Sequence, residues 1–179
     1  FSGKVEEDIS GPVGKGKKCR IAELAALIGF LGRLEHCPQG EKLKLQTENE
    51  TVARKCFTLL QKTFNIEKEI SVRENSHLKR VKVYVLEISD PEEIREILQA
   101  TKLIADSKFC DTLILQDMLV VQQSCCKRAY IRGAFLASGS ISDPEQGYHF
   151  EIVYPAERKA QQLQTIIRSF SVDAKIVQR

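Results

Sequence analysis

No stretch of this sequence stays apolar for more than a handful of residues, against the roughly 20 that a membrane-spanning helix needs. No charged-then-apolar leader opens it either. A membrane protein and a secreted one are therefore not expected. An excess of one charge is also missing: 27 Lys plus Arg stand against 24 Asp plus Glu, a formal net charge of +3. A protein that grips a duplex by charge alone usually carries more. The six cysteines, Cys19, Cys37, Cys56, Cys110, Cys125 and Cys126, include no C-x-x-C pair. Scattered among mostly apolar neighbours, they read as reduced, buried thiols in a cytoplasm. Adjacent Cys125 and Cys126 cannot easily reach one ion from a helix, so no metal site and no cofactor is expected. His36, His77 and His149 have no H-x-x-x-H spacing and no nucleophile partner, which makes them surface or strand residues.

What is present is a chain of 179 residues, 42% hydrophobic and 28% charged, as in an ordinary globular protein. At this size about 70% of the unfolded surface can be buried, enough for one compact domain or two small halves sharing a core. Gly11-Pro12-Val13-Gly14-Lys15-Gly16-Lys17-Lys18 nearly spells a phosphate loop. Lys18 occupies the place of the metal-binding hydroxyl, however, and no apolar strand pattern precedes the segment, so it reads as a flexible basic connector.

Hydrophobic spacing gives the organisation. Phe1, Val5 and Ile9 predict a short helix over residues 1–10. A mostly buried helix runs from Cys19 to about Leu31, and residues 33–37 and 41–47 form a hairpin around Pro38-Gln39-Gly40. Asn49 caps a helix reaching residue 64. Strands follow at 67–73 and 79–88, and Asp90-Pro91-Glu92-Glu93 starts a helix running through Leu103. Residues 105–121 form a less regular connector with some helical content. The order then begins again: a helix from Cys126 to Ser138, a hairpin from Ser140–Ser142 and Tyr148–Tyr154, a helix opened by Pro155, and a strand over 172–178. The small-residue ends of the two lead helices lie 139 − 32 = 107 residues apart. This is an internal duplication, with halves at 1–104 and 124–179 joined by a connector at 105–123.

The lead helices carry the specific signal. Ala22, Ala25, Ala26, Gly29 and Gly32 recur at spacings of three and four in the first, and Ala129, Gly133 and Ala137 in the second. Such stripes let helix backbones approach closely, and Ala25, Gly29, Gly32, Ala129, Gly133 and Ala137 are the expected interface. Leu24-Ala25-Ala26-Leu27-Ile28-Gly29-Phe30-Leu31-Gly32 resembles the LAGLIDADG signature of homing endonucleases. Ile131-Arg132-Gly133-Ala134-Phe135-Leu136-Ala137-Ser138-Gly139 resembles a second copy.

The resemblance implies an α+β fold in which two signature helices pack on a pseudo-twofold axis and two antiparallel sheets form a saddle, with the helices on one side. It also implies that the acid before each final glycine would hold divalent metal at a scissile phosphate. Those positions are Leu31 and Ser138 here, a hydrocarbon and a neutral hydroxyl, unsuited to Mg²⁺. Cleavage chemistry should be absent, and no enzyme is expected. Closer still, Cys125 to Ser140, Tyr148-His149-Phe150-Glu151-Ile152 and Cys19 to Gly32 are similar to WhiA-type regulators. That similarity implies a degenerate LAGLIDADG domain joined to a C-terminal helix-turn-helix, in a bacterial regulator of sporulation and cell division. The helix-turn-helix is not in this sequence.

If Leu43, Leu45, Val81, Val83, Val85, Phe150 and Ile152 face the helices, alternation sends Lys42, Lys44, Gln46, Arg80, Lys82, Tyr84, His149 and Glu151 to the other face. Arg73 and Lys175 join them by the same parity. In the resembled fold that face meets double-stranded DNA, which makes Lys42, Lys44, Gln46, Arg73, Arg80, Lys82, His149 and Lys175 the expected contacts. Glu67, Glu69, Glu151 and Asp173 dilute its field, so unaided affinity should be weak and salt-dependent. The expected setting is the cytoplasm, on the nucleoid and away from membranes, with a regulatory protein as a further possible partner. Two other readings stand beside this one: a scaffold for protein interaction or ligand sensing, and an active nuclease or RNA maturase using other acids.

Overall fold

The computed structural model describes residues 16–75, 81–108, 111–141, 150–152 and 157–177. The expected helix over 1–10 lies outside them, as do His77, Arg80, Cys110 and His149. Helix α1 (Lys17–Leu31) begins two residues before the predicted start, with Gly16 as an extended N-cap. Nine consecutive residues of it, Ala22 to Phe30, are buried. A helix buried all round is a central element rather than a covering one.

From α1 the chain passes without a loop into β1 (Gly32–Cys37), which pairs with β2 (Gly40–Thr47) through the expected turn. Helix α2 (Glu50–Phe64) is capped by Asn49, whose side chain accepts from the Thr51 and Val52 amides at 2.9 and 3.3 Å. Strands β3 (Ser71–Asn75) and β4 (Val81–Ile88) complete an antiparallel sheet of order β1-β2-β4-β3. Helix α3 (Pro91–Thr101) has the predicted Asp90 cap and proline start, and Lys102 closes it in the left-handed conformation.

The connector is more regular than expected. It contains a two-stranded ribbon, β5 (Leu103–Ala105) with β6 (Leu113–Leu115), and a 3₁₀ turn at Leu119–Val121. The Leu34 amide donates to the Asp111 carbonyl at 2.9 Å, so this segment runs along the edge of β1 and leaves less of it unpaired. The second half supplies α4 (Ser124–Ser138), the hairpin of β7 (Gly139–Ile141) and β8 (Phe150–Ile152), and α5 (Glu157–Arg168). No strand forms over 172–177, where Val172, Ile176 and Val177 are exposed. The apolar alternation there pairs with no strand among the described residues. The segment is instead held by Gln164, which donates to the Ala174 carbonyl at 2.9 Å.

The core lies between the helices and one sheet face. Leu43, Leu45, Leu86 and Ile88 meet Val52, Cys56, Leu59 and Leu60 of α2, Ile94 and Ile97 of α3, and the apolar body of α1. This is an α+β fold in which the helices share one side of the sheet.

Candidate functional site

The site is organised by the seam between α1 and α4. A Cβ at Gly133 would lie 2.7 Å from the Glu23 carbonyl oxygen and 2.9 Å from Ala26 Cβ. Only a residue without a side chain lets the backbones come this close. Ala22, Ala129 and Cys126 continue the contact towards the helix starts. Of the residues expected along the seam, Gly133 and Ala129 lie in it, and Ala25 is buried in the main core. Ala137 lines a hollow at the helix tips. Gly29 departs from expectation: the atoms nearest to a Cβ there belong to Lys159, Leu103 and Leu113, because that flank of α1 faces the ribbon and α5. Gly32 is a junction residue. A Cβ on it would meet the Ile28 carbonyl four residues back, as one on Gly139 would meet the Phe135 ring.

Two buried charges, which the apolar patterning does not reveal, pin the seam. Glu23 is wholly buried on α1, and Arg132 of α4 reaches it with Nε at 3.0 Å and Nη2 at 3.3 Å. Lys55 of α2 adds an ammonium 3.4 Å away. Burial pulls the Lys55 ammonium below its ordinary value, while Glu23 opposes the shift. The triad ties three helices in one register, since a displacement of any of them leaves a charge unpaired. On the other flank Lys159 of α5 is buried. Its ammonium donates to the Gly29 carbonyl and lies over the Phe30 ring, 5.4 Å from its centroid. Burial pushes its pKa down to about 7, with buried Asp106 acting in the opposite sense. Three residues on, Gln162 pairs with both backbone groups of Leu115 at 3.2 and 2.8 Å.

At the far end of the seam the helix tips open on a hollow of about 790 Å³ lined by Leu31, Leu136, Ala137, Val83, Gln46 and the start of α2. Leu31 is therefore placed at the tip. Ser138 ends α4 and is half-buried. The hollow's carboxylates are Glu48 and Glu50, and Glu50 is engaged by Arg54 at 2.5 Å.

The outward sheet face is set by register, since directly opposed residues share a side. Leu43 opposes Ile88, and Leu45 opposes Leu86. Leu86 and Ile88 therefore turn to the helices, and Lys82 and Tyr84 fall on that same side. Val81, Val83 and Val85 share the other side with Lys44 and Gln46, and Val85, 1% exposed, is covered there as well. The expected parity of β4 is thus inverted. Val81, Val83 and Val85 suggest an apolar face, but the strand continues Leu86-Glu87-Ile88, and the larger pair at its end fixes which side goes inside. Lys82 accordingly leaves the outward set. Arg73 stays in it, opposite Val83, and Arg33, Glu35 and Lys42 come to it from β1 and β2. Lys175 is exposed in the irregular segment after α5.

The outward cations have carboxylate neighbours. Lys44 lies 3.8 Å from Glu35, Arg73 lies 3.4 Å from Glu87, and Arg33 lies 2.5 Å from Asp111. Glu35 and Glu87 are the acids on this face, and Glu67 and Glu69 lie outside the strands. Glu151 faces away from Ile152, which packs on the core. The cysteines also depart from expectation. Cys19, Cys125 and Cys126, from the first turns of α1 and α4, bring their sulfurs within 4.8 Å of one another. Alignment of two helix starts across the seam does this, and distance along the chain gives no hint of it.

The models described as the WhiA N-terminal LAGLIDADG-like domain and the WhiA LAGLIDADG-like domain match residues 17–104 and 127–179. The chain belongs to the WhiA family. It is 47% identical, over its whole length, to a probable cell division protein WhiA of Lachnoclostridium phytofermentans, and 39% identical to one of Desulforamulus reducens. It spans 58% and 56% of those relatives, a little over half. The fold matches the crystal structure of the N-terminal LAGLIDADG domain of DUF199/WhiA with a TM-score of 0.70 at 17% identity, covering all of this chain and 79% of that one. Full-length DUF199/WhiA from Thermatoga maritima matches with a TM-score of 0.65 at 17% identity, over 95% of this chain and 50% of that one. The duplicated LAGLIDADG-like architecture is thus the WhiA one.

Proposed function

We propose that this chain is the non-cleaving LAGLIDADG-like part of a bacterial WhiA regulator of cell division and sporulation. In this reading it acts on the nucleoid in the cytoplasm and assists a C-terminal helix-turn-helix by weak contacts to double-stranded DNA, to a regulatory protein, or to both. The names of its relatives, probable cell division proteins, supply the cellular process. The observation that carries the loss of cleavage is the chemistry at the helix tips. Leu31 and Ser138 stand at the positions that the resemblance gives to the metal-binding acids, and Leu31, Leu136, Ala137 and Val83 line the hollow at the helix tips. Among the described residues, a divalent ion with hard oxygen preferences has no pair of carboxylates, one from each helix, to hold it there.

The outward face supports weak, salt-sensitive contact with a duplex. Lys42, Lys44, Gln46 and Arg73 are the residues offered to DNA, and Glu35 and Glu87 beside them hold the field down. Titration of a labelled duplex at two salt concentrations tests this. Charge reversal of Lys42, Lys44 and Arg73 together is expected to flatten the slope of log affinity against log salt by about 0.9 for each phosphate no longer neutralised. An unchanged slope in the full-length protein refutes the DNA face and favours a purely protein-binding scaffold. Incubation of supercoiled plasmid with Mg²⁺ or Mn²⁺ is expected to leave it intact, and metal-dependent nicking that co-purifies with the chain refutes the loss of cleavage.

A further inference from the structure

At the end of the seam opposite Leu31 and Ser138, three thiols meet. Cys19 is the third residue of α1, and Cys125 and Cys126 are the second and third of α4. Cys19 and Cys126 are equivalent in the two halves, since 126 − 19 = 107 and 138 − 31 = 107. The pseudo-twofold axis therefore sets them face to face, packed with Ala22 and Ala129, and Cys125 brings a third sulfur from the surface. All three sulfurs lie within 4.8 Å of one another.

We propose that Cys19, Cys125 and Cys126 form a three-thiolate site for one thiophilic d¹⁰ cation such as Zn²⁺, which bridges the first turns of α1 and α4. A zinc–sulfur bond of about 2.3 Å sets tetrahedral sulfurs about 3.8 Å apart, so closure requires each sulfur to move by about 1 Å or less. An all-sulfur set selects zinc, copper(I) or cadmium over magnesium and calcium, whose preference is oxygen. The positive ends of both helix dipoles act in favour of thiolate. Burial and the neighbouring Cys125 thiol raise the Cys19 pKa, and Arg132 opposes that rise. Cys125 is exposed, and the Cys19 thiol hydrogen-bonded to it lowers its pKa. Burial pushes Cys126 up to about 11, so its proton leaves on binding rather than before. Exposure on the Cys125 side leaves the fourth position to water or an external thiol.

The test uses the reduced 179-residue chain. Titration with Cd²⁺, read by the thiolate-to-cadmium charge-transfer absorption, is expected to saturate at one ion per chain. Zn²⁺ is expected to displace it. Competition with a chromophoric chelator should show Zn²⁺ held at least tenfold more weakly by C19S, C125S and C126S, each checked for folding by circular dichroism, and unchanged in C37S. For the unmutated chain, bound Zn²⁺ should slow alkylation of Cys19, Cys125 and Cys126 together while Cys37 labels at its usual rate. The proposal is overturned if no ion saturates the reduced chain, if C19S and C126S keep wild-type affinity, or if zinc protects other cysteines instead. A chain that forms a Cys19–Cys126 disulfide but takes up no metal once reduced overturns it equally.

Discussion

Two glycines of the signature segments, both inside helices, respond to opposite demands. At Gly133 an added methyl would meet the Glu23 carbonyl at 2.7 Å, and a main chain cannot turn aside as a side-chain end can. At Gly29 the nearest atom to an added methyl is Lys159 Nζ at 3.6 Å, an ordinary contact. Gly133→Ala is therefore expected to destabilise the fold by about 1–3 kcal/mol through forced separation of α1 and α4. Gly29→Ala is expected to be neutral or to stabilise by up to about 1 kcal/mol, the helix-propensity gain of alanine. Urea midpoints at unchanged slope check both. In the sequence the two glycines look alike, as members of one small-residue stripe. Their difference arises from which flank of each helix meets which neighbour, and that is a tertiary fact. Glu23 and Lys55 are hidden for the same reason, since a charged side chain in an apolar run shows no sign of the partner that neutralises it.

Among the elements, β4 yields the sharpest test. Its register places Leu86 inside and Val83 outside, against a pattern in which the valines look like the buried set. Leu86→Ala is expected to cost about 2–5 kcal/mol, as cavity-forming changes in a core do. Val83→Thr is expected to cost less than about 1 kcal/mol, within the range of strand preference. Equal costs in denaturant unfolding would restore the parity that the valines suggest. Helices with strong ends are legible in the sequence: Asn49 and Asp90 cap where expected, because capping is decided by a few adjacent residues. Strand faces are less so, because they depend on which of two apolar sets the rest of the core can bury. The ribbon of β5 and β6 escapes the pattern because three-residue strands are too short to carry a period. Residues 172–177 mislead in the other direction, because alternation requires a partner edge to become a strand.

For the whole molecule, the duplication and the two signature helices are readable, since a repeated order of elements with a fixed offset is carried by many residues at once. The buried ammonium of Lys159 gives the fold a pH signature. Its folded-state pKa of about 7 lies below the ordinary value for lysine, so the unfolded chain holds more protons between the two. Stability is expected to rise with pH from about 7 towards about 10, by up to about 1.4 kcal/mol per pH unit. The Lys55 ammonium, also lowered, adds in the same direction. Lys159→Met should flatten that rise, as read from the difference between the urea midpoints of variant and parent at neutral and alkaline pH.

Both signature helices run straight into strands: α1 ends at Leu31 where β1 begins at Gly32, and α4 ends at Ser138 where β7 begins at Gly139. Nothing elastic separates rod from blade, so each pair behaves as a crank. At about 3.3 Å per residue, the six residues of β1 reach about 20 Å from the junction, and a tilt of about 5° between the rods carries the blade tip nearly 2 Å. The curvature offered to whatever rests on these blades is therefore governed from the shaft, by groups that no such visitor touches.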